Sequence, residues 1–186
     1  LEPLAEIVLV EGFLQARVGV DHVVLDELLQ GVVHGDHAVA FAELDEAARK
    51  LNLSLQMADV QRKEDIDGAL ANISQSVEAL VVVPGPLVYS WRKEIADAAL
   101  KHRLPAIVSV QHFVQEGLLM SYGPNLDREW RRASAHVDKI LKGAAPGDLP
   151  VEQPIVFELA INMKTAQALA VSIPTALLAT ATDVIE

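Results

Sequence analysis

Three short corners carry the side chains best suited to hold a small molecule: Pro84-Gly85-Pro86-Leu87, Gln111-His112-Phe113 and Ser121-Tyr122-Gly123. Two prolines lock the backbone around Gly85, which itself leaves room for close approach, so this corner suits a rigid rim that offers backbone groups. An ordinary connecting loop has the same composition. Phe113 and Tyr122 are two of only six Phe and Tyr residues (four Phe, two Tyr). An aromatic wall with a polar tip is a common feature of small-ligand clefts, although core packing is the simpler account of Phe113 alone. His112 and Tyr122 are the side chains placed to act as acid or base. His34, Asp36 and His37, with Asp21 and His22 upstream, have metal-ligand types but lack the i, i+4 histidine pair. A solvated turn around Gly35 fits them better, and no metal is expected.

Other chemistry is missing from the sequence. There is no Gly-x-Ser-x-Gly elbow for a serine nucleophile. Neither Gly-x-Gly-x-x-Gly nor Gly-x-x-x-x-Gly-Lys-Ser/Thr occurs, so no phosphate-bearing cofactor is expected. The paired acids Asp45-Glu46 and Asp65/Asp67 fall at predicted helix starts or on exposed faces, where capping and solvation are their expected roles.

Regular elements must position the three corners. From residue 41 the spacing of Phe41, Leu44, Ala48 and Leu51 predicts a helix, and Leu53, Leu55 and Met57 alternate as a strand does. Ile66, Leu70 and Ile73 return to helical spacing behind Asp65. "EALVVVP" reads as a strand buried on both faces. Ser90 is the expected cap of a helix in which Ile95, Ala98, Ala99 and His102 share a face. "LPAIVSV" and "GLLMSYG" are two further short strands. This alternation predicts a three-layer αβα sandwich with a mainly parallel sheet. The right-handed crossover rule then puts the strand ends, and with them the three corners, on one edge. Residues 1–40 read differently: Ile7–Val10 hint at a strand, and Leu25, Leu28 and Leu29 at a helix.

The bulk numbers agree with a packed α/β protein. The 186 residues are 51 % hydrophobic and 22 % charged. With 26 acidic against 15 basic side chains the formal charge is −11, which disfavours nucleic acid as a partner. Cysteine is absent, which excludes disulfides, thiolate metal sites and Cys nucleophiles. The longest apolar run, Ala79–Val88, is interrupted by Pro84, Gly85 and Pro86 and is too short to span a bilayer. "LEPLAEIVLVEGF" has neither an initiating Met nor the basic stretch of a signal peptide. The expectation is a protein that is not exported, or a chain that is not the complete product.

"GLLMSYGPN" (Gly117–Asn125), "ILKGAAPGDLPVEQP" (Ile140–Pro154), "FELAINMKTA" (Phe157–Ala166) and Ile173-Pro174 are motifs of a known family. Over residues 41–186 the chain resembles the substrate-binding proteins of ABC transporters, the poorly characterised tryptophan/tyrosine-binding-like group. The resemblance implies a type I periplasmic-binding-protein-like fold, with two α/β lobes closing on a ligand about crossing strands. It implies that 41–186 are the C-terminal lobe and hinge, with most of the first lobe missing and 1–40 a divergent segment. It also implies a non-enzymatic protein that captures a small organic ligand, possibly amino-acid-like, and passes it to a membrane permease in the periplasm or cell envelope. Pro84, Gly85, Pro86, Leu87, Gln111, Phe113, Ser121, Tyr122 and Gly123 would line the cleft. Gly85 stands where many members carry an acidic residue, and Leu118 replaces one glycine of a usual pair.

Two alternatives stand beside this reading: an enzyme on a flavodoxin-like sheet using His112 or Tyr122, and the ligand-sensing domain of a regulator. One further expectation concerns a predicted helix near Asn125–Lys142, whose stripe of Trp130, Ala133, Val137, Ile140 and Leu141 the family packs on its first lobe. In this chain the stripe needs a cover, from residues 7–29 or from self-association.

Overall fold

The computed structural model describes residues 5–11, 37–50 and 52–186. Its strands are β1 (Ala5–Glu11), β2 (Ser54–Val60), β3 (Ala79–Val82), β4 (Ala106–Val108), β5 (Met120–Pro124), β6 (Phe157–Asn162) and β7 (Asp183–Ile185). They form one sheet in the order β2-β1-β3-β4-β5-β6-β7. The helices are α1 (His37–Lys50), α2 (Ile66–Ile73), α3 (Pro86–Ser90), α4 (Arg92–Lys101), α5 (His112–Gln115), α6 (Leu126–Leu141), α7 (Met163–Leu169) and α8 (Thr175–Thr180).

Alternation along the central strands divides the core in two, one half on each face. Val81 of β3 and Val83 just after it face one side, with Leu44 and Ala48 of α1, Leu159 and Ile161 of β6, and Leu177 of α8. Leu80 and Val82 face the other side, with Ile66 and Leu70 of α2, Ile95 and Ala99 of α4, and Val108. All four residues of β3 are buried, as expected for a strand covered on both faces. The predicted αβα sandwich is therefore the fold of this chain.

Strand direction is more mixed than the sequence suggests. β3, β4 and β5 are parallel neighbours, with Val82 opposite Val108 and Val108 opposite Ser121. β1 runs antiparallel to both β2 and β3. β6 runs against β5, and β7 follows β6. Leu25, Leu28 and Leu29 lie outside the described residues, as do Asp21, His22, His34 and Asp36 of the weighed metal cluster. Among the described residues no group of three or more His, Asp or Glu is arranged to hold a metal ion, and no helix is long and apolar enough to cross a membrane.

One expected cap differs. Ser90 does not cap the long helix but ends the short α3, where its hydroxyl donates to the Leu87 carbonyl at 2.7 Å. Trp91 occupies the N-cap position of α4. The acid pairs are engaged on the surface: Asp45 with Arg49, Glu46 with Lys50, Asp65 with Arg62, and Asp67 with both Lys101 and His102.

Candidate functional site

Two of the corners follow β3 and β4, whereas Ser121-Tyr122-Gly123 lies within β5 and not after it, because the strand runs on to Pro124 in pairing with β6. Because β3, β4 and β5 are parallel and adjacent, all three corners lie towards one edge of the sheet, where α/β proteins bind ligands. Gly85, extended at φ −148°, is the N-cap of α3 and Pro86 opens that helix. Pro there is pre-set for a first turn and lacks only an N–H that the helix cannot use. Pro84, Gly85 and Leu87 are half-buried and Pro86 is exposed. Gln111 precedes α5, and its Nε2 donates to Asp183 Oδ2 of β7 at 2.7 Å. The corner after β4 is thereby tied to the far side of the sheet.

Phe113 and Tyr122 are both buried, and on opposite faces: Phe113 packs with α2 and α4, Tyr122 with α1 and β6. Tyr122 stacks on Phe157 with ring centroids 5.7 Å apart. Neither ring presents a face to the edge. The aromatic surface at this edge is Tyr89, which the sequence analysis did not single out. Tyr89 is exposed and stands edge-on to His112 and Phe113, at 5.9 and 6.0 Å between centroids. The Arg92 guanidinium lies 5.1 Å from its ring centre and pairs with Glu116 at 3.3 Å. His112 packs against Tyr89 with Nδ1 buried and without a hydrogen-bond partner among the described residues. Tyr122 belongs to the core on the other face of the sheet from Phe113, the chain neighbour of His112.

Ser121 and Gly123 are buried in β5. Gly123 lies hard against the neighbouring strand: a Cβ there would meet the Ser109 carbonyl oxygen at 2.1 Å. β4 and β5 can only converge at this edge with glycine at 123. The chain leaves the sheet at Pro124 and comes back at Phe157, directly opposite on β6. Asn125 holds the exit. Its side-chain oxygen accepts from Arg128 N–H at 3.1 Å, capping α6, and its Nδ2 donates to Glu158 Oε2 at 2.8 Å.

Between exit and return lies an excursion of α6 and an irregular strap, 149–156. Arg132 donates to Glu129 and to Glu152, and His136 Nε2 lies 3.4 Å from the Pro150 carbonyl. The strap thus runs antiparallel along one side of α6, over a shallow hollow of about 330 Å³ lined by these residues and Ala133. The hydrogen bond from Arg132 lowers the Glu152 carboxyl below its ordinary range. No residue of α6 is buried. Trp130 is 72 % exposed and Leu141 82 %, so the predicted stripe is present and open. Residues 7–11 are part of β1, between β2 and β3; 12–29, the rest of the segment expected to cover Trp130, lie outside the described residues.

Comparison with known proteins follows the same outline. The sequence profile of a family described as "ABC transporter substrate binding protein" matches residues 34–185. An uncharacterised protein of Rickettsia prowazekii is 28 % identical over 118 residues, covering 63 % of this chain and 39 % of that protein. The tyrosine-binding protein of Clostridioides difficile is 24 % identical over 126 residues, covering 68 % of this chain and 36 % of its own length. Among solved structures, a conserved domain protein of Vibrio cholerae superposes with a TM-score of 0.72 at 27 % identity, over 79 % of this chain and 50 % of that one. An ABC domain of Streptococcus pneumoniae in complex with L-Trp gives 0.73 at 24 %, over 80 % and 50 %. The chain spans about two fifths of these relatives and half of these structures.

Proposed function

Since the chain belongs to the ABC transporter substrate-binding protein family, a family of binding proteins and not of enzymes, we propose that residues 41–186 form one lobe and the hinge of a solute receptor. Residues 1–40 are a divergent segment in this reading. The ligand is a small organic molecule taken at the sheet edge by the Pro84–Leu87 rim, by Gln111 and by the Ser121–Gly123 segment. Tyr89 supplies the exposed aromatic surface, with Phe113 packed against it, while Tyr122 stacks on Phe157 on the other face of the sheet. The reading rests above all on one observation: Pro124 and Phe157 are opposite residues of two antiparallel strands, through which the chain leaves the lobe and re-enters it. Two adjacent crossing strands concentrate rotation at a few residues, as a hinge requires.

The relatives are named for tyrosine and for bound L-Trp, and an aromatic amino acid is the ligand class we infer here. Gly85 offers no charge to an ammonium group. Glu158 and Asp183 are half-buried carboxylates near the corners, and they accept hydrogen bonds from the neutral amides of Asn125 and Gln111. They supply the negative charge that the Gly85 corner lacks. The family is usually extracytoplasmic; for this protein we infer a periplasmic or cell-envelope site and a membrane permease as the recipient of the ligand. The exposed stripe of α6 meets a further protein surface, either another lobe or a second copy.

An edge with a single wall encloses little of a ligand, and most of a pocket's affinity comes from enclosure. Isothermal titration with aromatic and branched amino acids tests the proposal. Saturable binding in the millimolar range, roughly −4 kcal/mol, with aromatic ligands preferred, is the expected result. Absence of binding by every amino acid tested would overturn it.

A further inference from the structure

We propose that Ser109 is a further ligand-contacting residue, and that its hydroxyl donates a hydrogen bond to the carboxylate of an amino-acid ligand. The assignment rests on the receptor reading above and adds to it the end of the ligand that this part of the edge takes.

Among the described residues four Ser, Thr and Asn side chains are more than nine-tenths buried: Ser109 at 6 % exposure, Ser121 at 2 %, Asn162 at 5 % and Thr165 at 6 %. Two of them are tied down. Asn162 accepts from Thr165 N–H at 3.0 Å and donates to the Val114 carbonyl at 3.1 Å. The Thr165 hydroxyl donates to the Gly117 carbonyl at 2.8 Å. The hydroxyls of Ser109 and Ser121 make no hydrogen bond to any described residue. Neither oxygen is sealed in, however: among the described residues His112 Nδ1 is the side-chain atom that lacks both a partner and an opening. A hydroxyl held mostly out of water and left unpaired is costly unless something arrives to pair with it.

Ser109 is the better placed of the two. Val108 and Ser121 form the last pair of the β4–β5 ladder, so Ser121 stands one step back within the sheet and Ser109 is the first residue beyond β4. Its neighbours Val108 and Val110 are both core residues. The serine therefore interrupts an apolar run at a position where burial alone favours Ala or Val. Charge decides what the hydroxyl meets. Glu158 and Asp183 belong to β6 and β7, on the far side of β5 from Ser109. An amino acid laid across this edge keeps its ammonium towards these carboxylates and its own carboxylate away from them, towards β4. A carboxylate can only accept, and the serine O–H is free to donate. Hydrogen bonds to an ionised acceptor are the stronger kind.

Amide-shift titration of the labelled full chain with L-tryptophan and with tryptamine, which lacks the carboxylate, tests the assignment beside thermal melts. Ser109→Ala is expected to raise the dissociation constant for L-tryptophan about tenfold and to leave that for tryptamine within about twofold. Its melting temperature should be no lower than the parent's, because the hydroxyl removed had no partner. Equal weakening of both ligands would overturn the assignment. So would unchanged binding of L-tryptophan, the result if the hydroxyl holds only water, or a clear drop in melting temperature, which would make the hydroxyl structural. Each of these outcomes leaves the receptor reading standing. A parent chain that binds tryptamine but not L-tryptophan would also remove this assignment, and one that binds no amino acid at all removes the receptor reading with it.

Discussion

The side-chain amide of Asn125 donates to the carboxylate of Glu158 at 2.8 Å, joining the residue after the sheet exit to the residue after the sheet entry. The same Asn125 caps α6. One side chain therefore fixes both the start of the excursion and its closure, where β5 and β6 lie side by side.

Asn125→Ala removes the cap and the cross-strand bond together. Loss of an N-cap costs about 1 kcal/mol and loss of a hydrogen bond to a charged group about 1.5–3 kcal/mol, discounted here for partial exposure. Urea denaturation is expected to show a loss of about 2 kcal/mol. Asn125→Asp keeps the cap and sets two carboxylates face to face, so it should recover little of that loss.

Gly123→Ala places a methyl group 2.1 Å from the Ser109 carbonyl oxygen and 2.9 Å from its carbon. Both atoms are backbone, so β4 or β5 must move. A cost of about 3 kcal/mol is expected, at the upper end for overpacking. Gly147→Ala, with open space around it, should stay within about 0.5 kcal/mol of the parent. Equal effects of the two changes would contradict the close approach.

Phe113 and Tyr89 should separate packing from binding. Phe113→Ala empties a fully buried site and should destabilise by about 3–5 kcal/mol. Tyr89→Ala, at an exposed ring, should cost about 1 kcal/mol or less in stability. It should nevertheless weaken amino-acid binding more than Phe113→Leu does. Thermal melts and calorimetric titration of the three variants check both halves.

Asp67 links α2 to the end of α4. Hydrogen bonds first from Lys101 and then from His102 hold its carboxyl below the ordinary value of 3.8. A carboxyl whose folded pKa is depressed stabilises the fold above its unfolded pKa, and that contribution fades as pH falls through the folded value. Melting temperature followed below pH 4 should therefore fall less steeply in Asp67→Asn than in the parent, with the two curves parallel near neutrality. The site is exposed, so the difference is expected to be small and to shrink with salt.

Much of the lobe was legible in the sequence. The runs that became β3, β4 and β5 are apolar because both faces are covered, and the α6 stripe could be read from its 3.6-residue period alone. Other features had no local signal. Periodicity carries no direction, so β1 could not be seen to run against its neighbours. Residue type placed Phe113 and Tyr122 at strand ends, but which face each ring enters depends on register. Asp183 and Glu158 lie 72 and 33 residues from the amides that bond them, a distance no local pattern bridges. Ser90 looked like a cap because the one-turn α3 that precedes it is too short to show a period.

Backbone amide shifts of the labelled chain, recorded by NMR during titration with L-tryptophan and with indole-3-propionate, test the central claim most directly. The account predicts shifts at Gly85, Leu87, Tyr89, Gln111 and Ser121–Gly123, larger for the amino acid than for its analogue without the ammonium group. Shifts confined to α6 and the strap, or none at any concentration, would contradict it.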